Sequence, residues 1–124
     1  MRTPLGRALG LGSAKEGVGH WWAQRMSALA LVPLTVWFVA SLVAMAGADY
    51  FAIRDWIGSP VVAGLLVLVI VATFYHTALG LQVIIEDYVH HPAMKFAGLL
   101  AVNAAAAVLA LTGVLAVLTV LFTA

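Results

Sequence analysis

A chain of 124 residues that is 65% hydrophobic and only 9% charged, with a net charge of +1 and no cysteine, has the composition of a protein dissolved in lipid. A soluble domain carries roughly a quarter charged residues. The absence of cysteine excludes a disulfide scaffold, a thiolate-held metal and a cysteine-ligated iron–sulfur cluster. Without thiolates, any redox ligand here is nitrogen or oxygen, and the net charge of +1 supports no nucleic-acid reading.

Residues 1–19 contain Arg2, Arg7 and Lys15 but no apolar core of signal-peptide length, which predicts a solvated arm. The first apolar stretch runs over about 26–48, with Pro33 inside it as an expected kink. Gly47-Ala48-Asp49 ends it. Gly58-Ser59-Pro60 then opens a second stretch, 61–85, with proline in its tolerated first-turn position. His91-Pro92 breaks the chain before a third, 96–124. Each stretch exceeds the roughly 20 residues a helix needs to cross the hydrocarbon core. Without water each must satisfy its own backbone hydrogen bonds, which selects helices. The expectation is an all-α integral membrane protein: one membrane domain over 1–124 with three transmembrane helices.

Trp21, Trp22 and Trp56 fall near span ends, where amphipathic rings favour the headgroup zone. In the third span Ala97, Ala101 and Ala105 repeat every four residues, with Gly98 and Gly113 as further small positions suited to close helix packing. Asn103 reads as a helix–helix hydrogen bond. Arg2, Arg7, Lys15 and Arg25 precede or enter the first span, whereas the first loop has only Arg54, offset by Asp49 and Asp55; Lys95 lies in the second loop. Positive residues favour the cytoplasm, which places the arm over 1–25 and the loop over 86–95 inside and the C-terminus in the periplasm.

The chemistry concentrates on the second span. Successive helix residues turn by about 100°, so His76, Gly80, Val83 and Asp87 form one stripe. His76 stands at mid-membrane depth, about 16 Å of helix rise from Asp87. A neutral imidazole can ligate haem iron, and Gly80 removes a side chain where a flat macrocycle would need room. A hydrogen bond from His76 to a neighbouring helix is the plainer alternative. With no second histidine at that depth, a six-coordinate haem takes its other ligand from another chain. Glu86-Asp87-Tyr88 is either a polar helix end meeting water or a site in which the Tyr88 hydroxyl, supported by Asp87, donates to a quinone carbonyl. Arg25 lies on the same side, as a snorkelling anchor or as a partner for a haem propionate or the quinone pocket. His20, His90 and His91 fall outside the expected spans and read as solvated.

The run from His76 through Gly80 to Asp87-Tyr88-Val89 resembles the H-x-x-x-G-x-x-x-I/V-x-x-D-Y-V/I segment of the hydrophobic membrane anchor (D) subunit of succinate dehydrogenase, complex II. The upstream stretch His20-Trp21-Trp22-Ala23-Gln24-Arg25-Met26-Ser27-Ala28 is similar to the start of that subunit's first span. The resemblance extends from about Gly17 to the end in length, span count and orientation; the third helix adds little to it.

That resemblance implies His76 as an axial ligand of haem b, with the opposite ligand from a companion cytochrome b anchor subunit. It implies Tyr88 as the hydrogen-bond donor to ubiquinone, Asp87 as its neighbour in that site, and Arg25 as a residue near the haem propionates and quinone pocket. The companion anchor carries a Ser-x-x-His-Arg stretch and a His-x-x-x-Gly-x-Arg-His pattern; Gln24-Arg25 and Gln82 at the comparable places here put this chain on the D side. The implied partners are that companion, an iron–sulfur subunit, a flavoprotein subunit and membrane lipid, in the respiratory chain and the tricarboxylic acid cycle. Succinate oxidation belongs to the flavoprotein, not to this chain. The leaderless start favours a bacterial cytoplasmic membrane over a mitochondrial inner membrane.

Two other classes compete. One is a small proton-conducting or transporter subunit relaying protons through His76 and Glu86, which three unequal spans without an internal repeat disfavour. The other is a purely structural membrane protein without a ligand.

Overall fold

The computed structural model describes residues 12–123, with side chains from Val18 onward. Arg2 and Arg7, which enter the sidedness argument, and the terminal residue of the third expected span lie outside the described residues, as does the side chain of Lys15. Four helices follow one another: α1 (Gly12–Ala44), α2 (Tyr50–Ile57), α3 (Pro60–Tyr88) and α4 (Pro92–Thr123). No strand occurs among the described residues. α3, α4 and the Val18–Ala44 part of α1 are each long and apolar enough to cross a membrane. The expectation of three apolar spans is met.

The punctuation has local causes. Gly47 takes φ +84°, the left-handed conformation open to a residue without Cβ, and turns the chain after α1. Asp49 then caps α2, its carboxylate accepting the Ala52 N–H at 2.8 Å. Ser59 holds an extended conformation and Pro60 opens α3 as anticipated. α3 ends where Val89 becomes extended, its N–H still donating to the Ile85 carbonyl at 3.0 Å. α1 continues as helix through Pro33.

Two features differ from expectation. α1 begins well before Met26, and two of the polar residues ahead of Met26, His20 and Gln24, share a helical face that turns inward rather than marking an exit from the helix. The segment between the first two spans contains α2, an eight-residue helix, where only a loop was expected.

α3 is the central element. α1 and α4 each pack along it, while α1 and α4 form no comparable packed pair. On the α4 side a Cβ at Gly113 would stand 3.2 Å from Ile70, and one at Gly98 3.5 Å from Ile85, so glycine sets the close approach at the first and eases it at the second. Asn103 makes the helix–helix bond anticipated for it, accepting from Gln82 Nε2 at 2.8 Å while its own amide donates to the Leu99 carbonyl at 2.9 Å. In lipid such a bond contributes about 0.6–2 kcal/mol.

At the far end of α3, Ala63, Leu66 and Val117 form the buried core, walled by Trp37, Phe38 and Trp56. Trp56 stacks on Trp37 with centroids 5.9 Å apart. Arg54 ties α2 to the end of α4 by donating to the Thr123 carbonyl at 3.1 Å. Most other apolar side chains remain exposed on the chain by itself, which suits lipid or further subunits as surroundings.

Candidate functional site

His20, Gln24 and Ser27 are spaced i, i+4, i+7 and share one face of α1. That face meets the His76–Gly80 turn of α3. Ser27 Oγ lies 2.8 Å from His76 Nδ1, and Gln24 Nε2 would stand 3.7 Å from a Cβ placed on Gly80. These two contacts fix an antiparallel register between the helices.

Ser27 is buried, at 8% exposure, and its Oγ also lies 2.9 Å from the Gln24 carbonyl. His76 is half-buried. It therefore makes the interhelical hydrogen bond of the plainer alternative, but through one nitrogen. Among the described residues Nε2 has no hydrogen-bond partner, so the bond to Ser27 leaves the second ring nitrogen available.

The same face holds two buried polar atoms without a partner, His20 Nε2 and Gln24 Oε1. His20 is consequently not the solvated residue that its position ahead of the expected span suggested. It sits within α1, half-buried, because the stripe it belongs to turns toward α3. A buried polar atom without a partner is costly to maintain. His90 and His91 are exposed, His91 making only a long 3.4 Å contact from the Met94 N–H to its Nδ1. No group of three or more metal-ligating side chains converges among the described residues.

Gly80 differs from Gly113. Its added Cβ would make only an ordinary contact, so packing of α1 on α3 does not demand glycine there. Glycine in a helix interior costs about 1 kcal/mol relative to alanine. Among the described residues, packing does not account for a glycine one turn from His76.

Arg25 is exposed, with its guanidinium 5.3 Å from the Trp21 ring centroid in a cation–π arrangement. The α1/α3 register sets it opposite the Ala78–Leu79 turn, about 13 Å of helix rise short of Tyr88. It is level with the histidine–glycine segment, not with the end of α3. Glu86, Asp87 and Tyr88 stand at that end, all exposed, Tyr88 at 77%. Asp87 keeps to the His76 stripe and Tyr88 is rotated one position, about 100°, from it. Glu86 is about 15 Å of rise from His76, too far for direct proton exchange between them.

On the opposite side of α3, two apolar grooves of about 240 and 300 Å³ flank the seam made by Phe74, Ala78 and Ala106. Ala101 and Ala105 line the second, so these alanines of the small-residue repeat open a groove while the glycines make the close contact. Ser27 and Gln24 fall inside the stretch 20–28 that carries the resemblance, but no site role is implied for them there; the pattern that marks them is the i, i+4, i+7 polar spacing with His20.

These observations define a class first: an all-helical protein with three helices long and apolar enough to cross a membrane, the central one carrying an imidazole bonded to a serine and, at one end, adjacent Asp87 and Tyr88. The Succinate dehydrogenase/Fumarate reductase transmembrane subunit family matches residues 1–115, and the chain belongs to that family. It is 34% identical over 88 residues to the succinate dehydrogenase hydrophobic membrane anchor subunit of Rickettsia bellii, covering 71% of this chain and 70% of that one. Against the subunit of the same name from Paracoccus denitrificans it is 35% identical over 86 residues, 69% of this chain and 67% of the other. Against that of Rickettsia conorii it is 30% identical over 95 residues, 76% and 75% respectively. No solved structure matches the chain significantly.

Proposed function

We propose that this chain is the hydrophobic anchor of a succinate:quinone oxidoreductase, binding haem b through His76 and contributing Tyr88 and Asp87 to a ubiquinone-reduction site. The observation that carries this reading is the His76 ring: Nδ1 is engaged by Ser27 at 2.8 Å and Nε2 is left without a partner among the described residues. A haem ligand needs that division, one nitrogen for the metal and the other held by the protein. Gly80 fits the same group, since its missing side chain is unexplained by packing within the chain. A bound haem would supply reversible one-electron storage between the quinone and the soluble subunits.

The chain's own residues then act as follows. His76 would hold the haem iron through its Nε2 lone pair, with a further ligand from a companion cytochrome b subunit. Arg25, level with the His76–Gly80 segment, would offset the propionate charge of a haem held there. At the membrane boundary the Tyr88 hydroxyl donates to a quinone carbonyl and Asp87 orients it, with the remaining walls of the pocket supplied by other subunits. The exposure of Tyr88 on the chain by itself is consistent with a site completed by partners.

The assembly includes the companion anchor, an iron–sulfur subunit and a flavoprotein subunit. The N-terminus and the loop following α3 face the cytoplasm of a bacterial inner membrane. Purification of an affinity-tagged form of this chain from native membranes tests the reading. Three further subunits and succinate-dependent ubiquinone reduction are expected in the preparation; a chain that purifies without succinate-oxidising activity contradicts it.

A further inference from the structure

We infer that Ser27 fixes the tautomer of His76, holding its proton on Nδ1 and so presenting a bare Nε2 to the iron; as a statement about haem ligation this rests on the function proposed above. A serine hydroxyl carries one proton, and two acceptors compete for it here. Ser27 Oγ is 2.9 Å from the Gln24 carbonyl and 2.8 Å from His76 Nδ1. The carbonyl oxygen can only accept. If the hydroxyl donated to Nδ1, two oxygens would face each other lone pair to lone pair at hydrogen-bond distance.

Donation to Gln24 removes that conflict and turns an Oγ lone pair toward Nδ1, which must then carry a hydrogen. In a neutral imidazole one nitrogen is a donor and the other an acceptor. Nε2 is accordingly unprotonated, the form able to coordinate a metal. The unconstrained neutral histidine side chain favours the opposite tautomer, so this arrangement changes which form prevails. Burial of Ser27 at 8% exposure keeps water from replacing it. Ser27 is thus a positioning residue acting through His76.

The test compares wild-type complex with Ser27→Ala and Ser27→Thr, which keeps a hydroxyl. In haem-free complex labelled with ¹⁵N-histidine, the His76 resonances, assigned by their loss in His76→Gln, are expected to show protonated Nδ1 and unprotonated Nε2. Ser27→Ala should move the proton to Nε2. In haem-loaded complex, Ser27→Ala should weaken haem retention about 10–100-fold and raise the haem reduction potential, because the Nδ1–H loses its acceptor and the ring donates less charge. Ser27→Thr should restore both.

A His76 tautomer protonated on Nε2 in the wild type overturns the inference. So do unchanged retention and potential in Ser27→Ala while His76→Ala still abolishes haem, a result that leaves the haem reading intact. Wild-type complex without haem, but with the Nδ1–H resonances, would instead defeat the haem reading and keep the tautomer assignment.

Discussion

His76, Arg25 and Tyr88 are separable by what each loses on substitution. Tyr88→Phe removes one hydroxyl from an exposed side chain at the end of α3, so assembly should survive. A lost hydrogen bond of about 1.5–3 kcal/mol to a charged or developing-charge partner predicts roughly ten- to a hundred-fold slower ubiquinone reduction, with succinate oxidation by an artificial dye acceptor unchanged. Equal quinone rates for variant and wild type would return Tyr88 to an interfacial tyrosine. Arg25 is predicted to behave differently, since it is level with the Ala78–Leu79 turn and not with Tyr88. Arg25→Ala should lower haem content more than it raises the KM for quinone, checked by haem quantitation beside quinone titration. The role of the serine beneath His76 was not legible in the sequence, although Ser27 lies in the stretch 20–28 that carries the resemblance. Its partner lies 49 residues away and only the packing of α1 on α3 joins them.

At the scale of the elements, the glycines of α3 and α4 make opposite predictions. Gly113→Leu drives a side chain into Ile70, already 3.2 Å from the position of a Cβ. Overpacking of this kind costs typically about 1–3 kcal/mol, so the complex should lose thermal stability in a detergent melt. Gly80→Ala meets only the flexible end of Gln24 at 3.7 Å and gains helix propensity, so the same melt should show no loss. Its effect should fall on haem content. Parallel behaviour of the two variants would mean that Gly80 serves packing after all.

The helices themselves were largely legible. Long apolar runs can be little else in lipid, and Gly58-Ser59-Pro60 and His91-Pro92 mark their boundaries by backbone chemistry alone. The early part of α1 was not legible from hydropathy, because His20, Gln24 and Arg25 lower the average, although the first two share the inward face with Ser27. α2 escaped notice because eight residues are too few for a periodic pattern to stand out. Asp49, read as a loop charge, was its cap.

For the whole molecule the relevant fact is that α1 and α4 flank α3 without closing on each other, which leaves long apolar faces uncovered within the chain. Such a shape suits an anchor subunit whose faces meet lipid or other subunits. Sidedness is open to a direct test, because the chain has no cysteine of its own. Asp55→Cys, in the connection before α3, should react with a membrane-impermeant maleimide in intact cells. His90→Cys, after α3, should react only once the membrane is opened. The reverse pattern would invert the topology and place Tyr88 and Asp87 on the periplasmic side.

The optical spectrum of the purified, dithionite-reduced complex tests the central claim most directly. Wild-type complex should show the bands of a low-spin b-type haem, and complex assembled with His76→Ala should lose them. Bands of full intensity in His76→Ala, or a wild-type complex that carries all its subunits and no haem absorbance, would contradict the account.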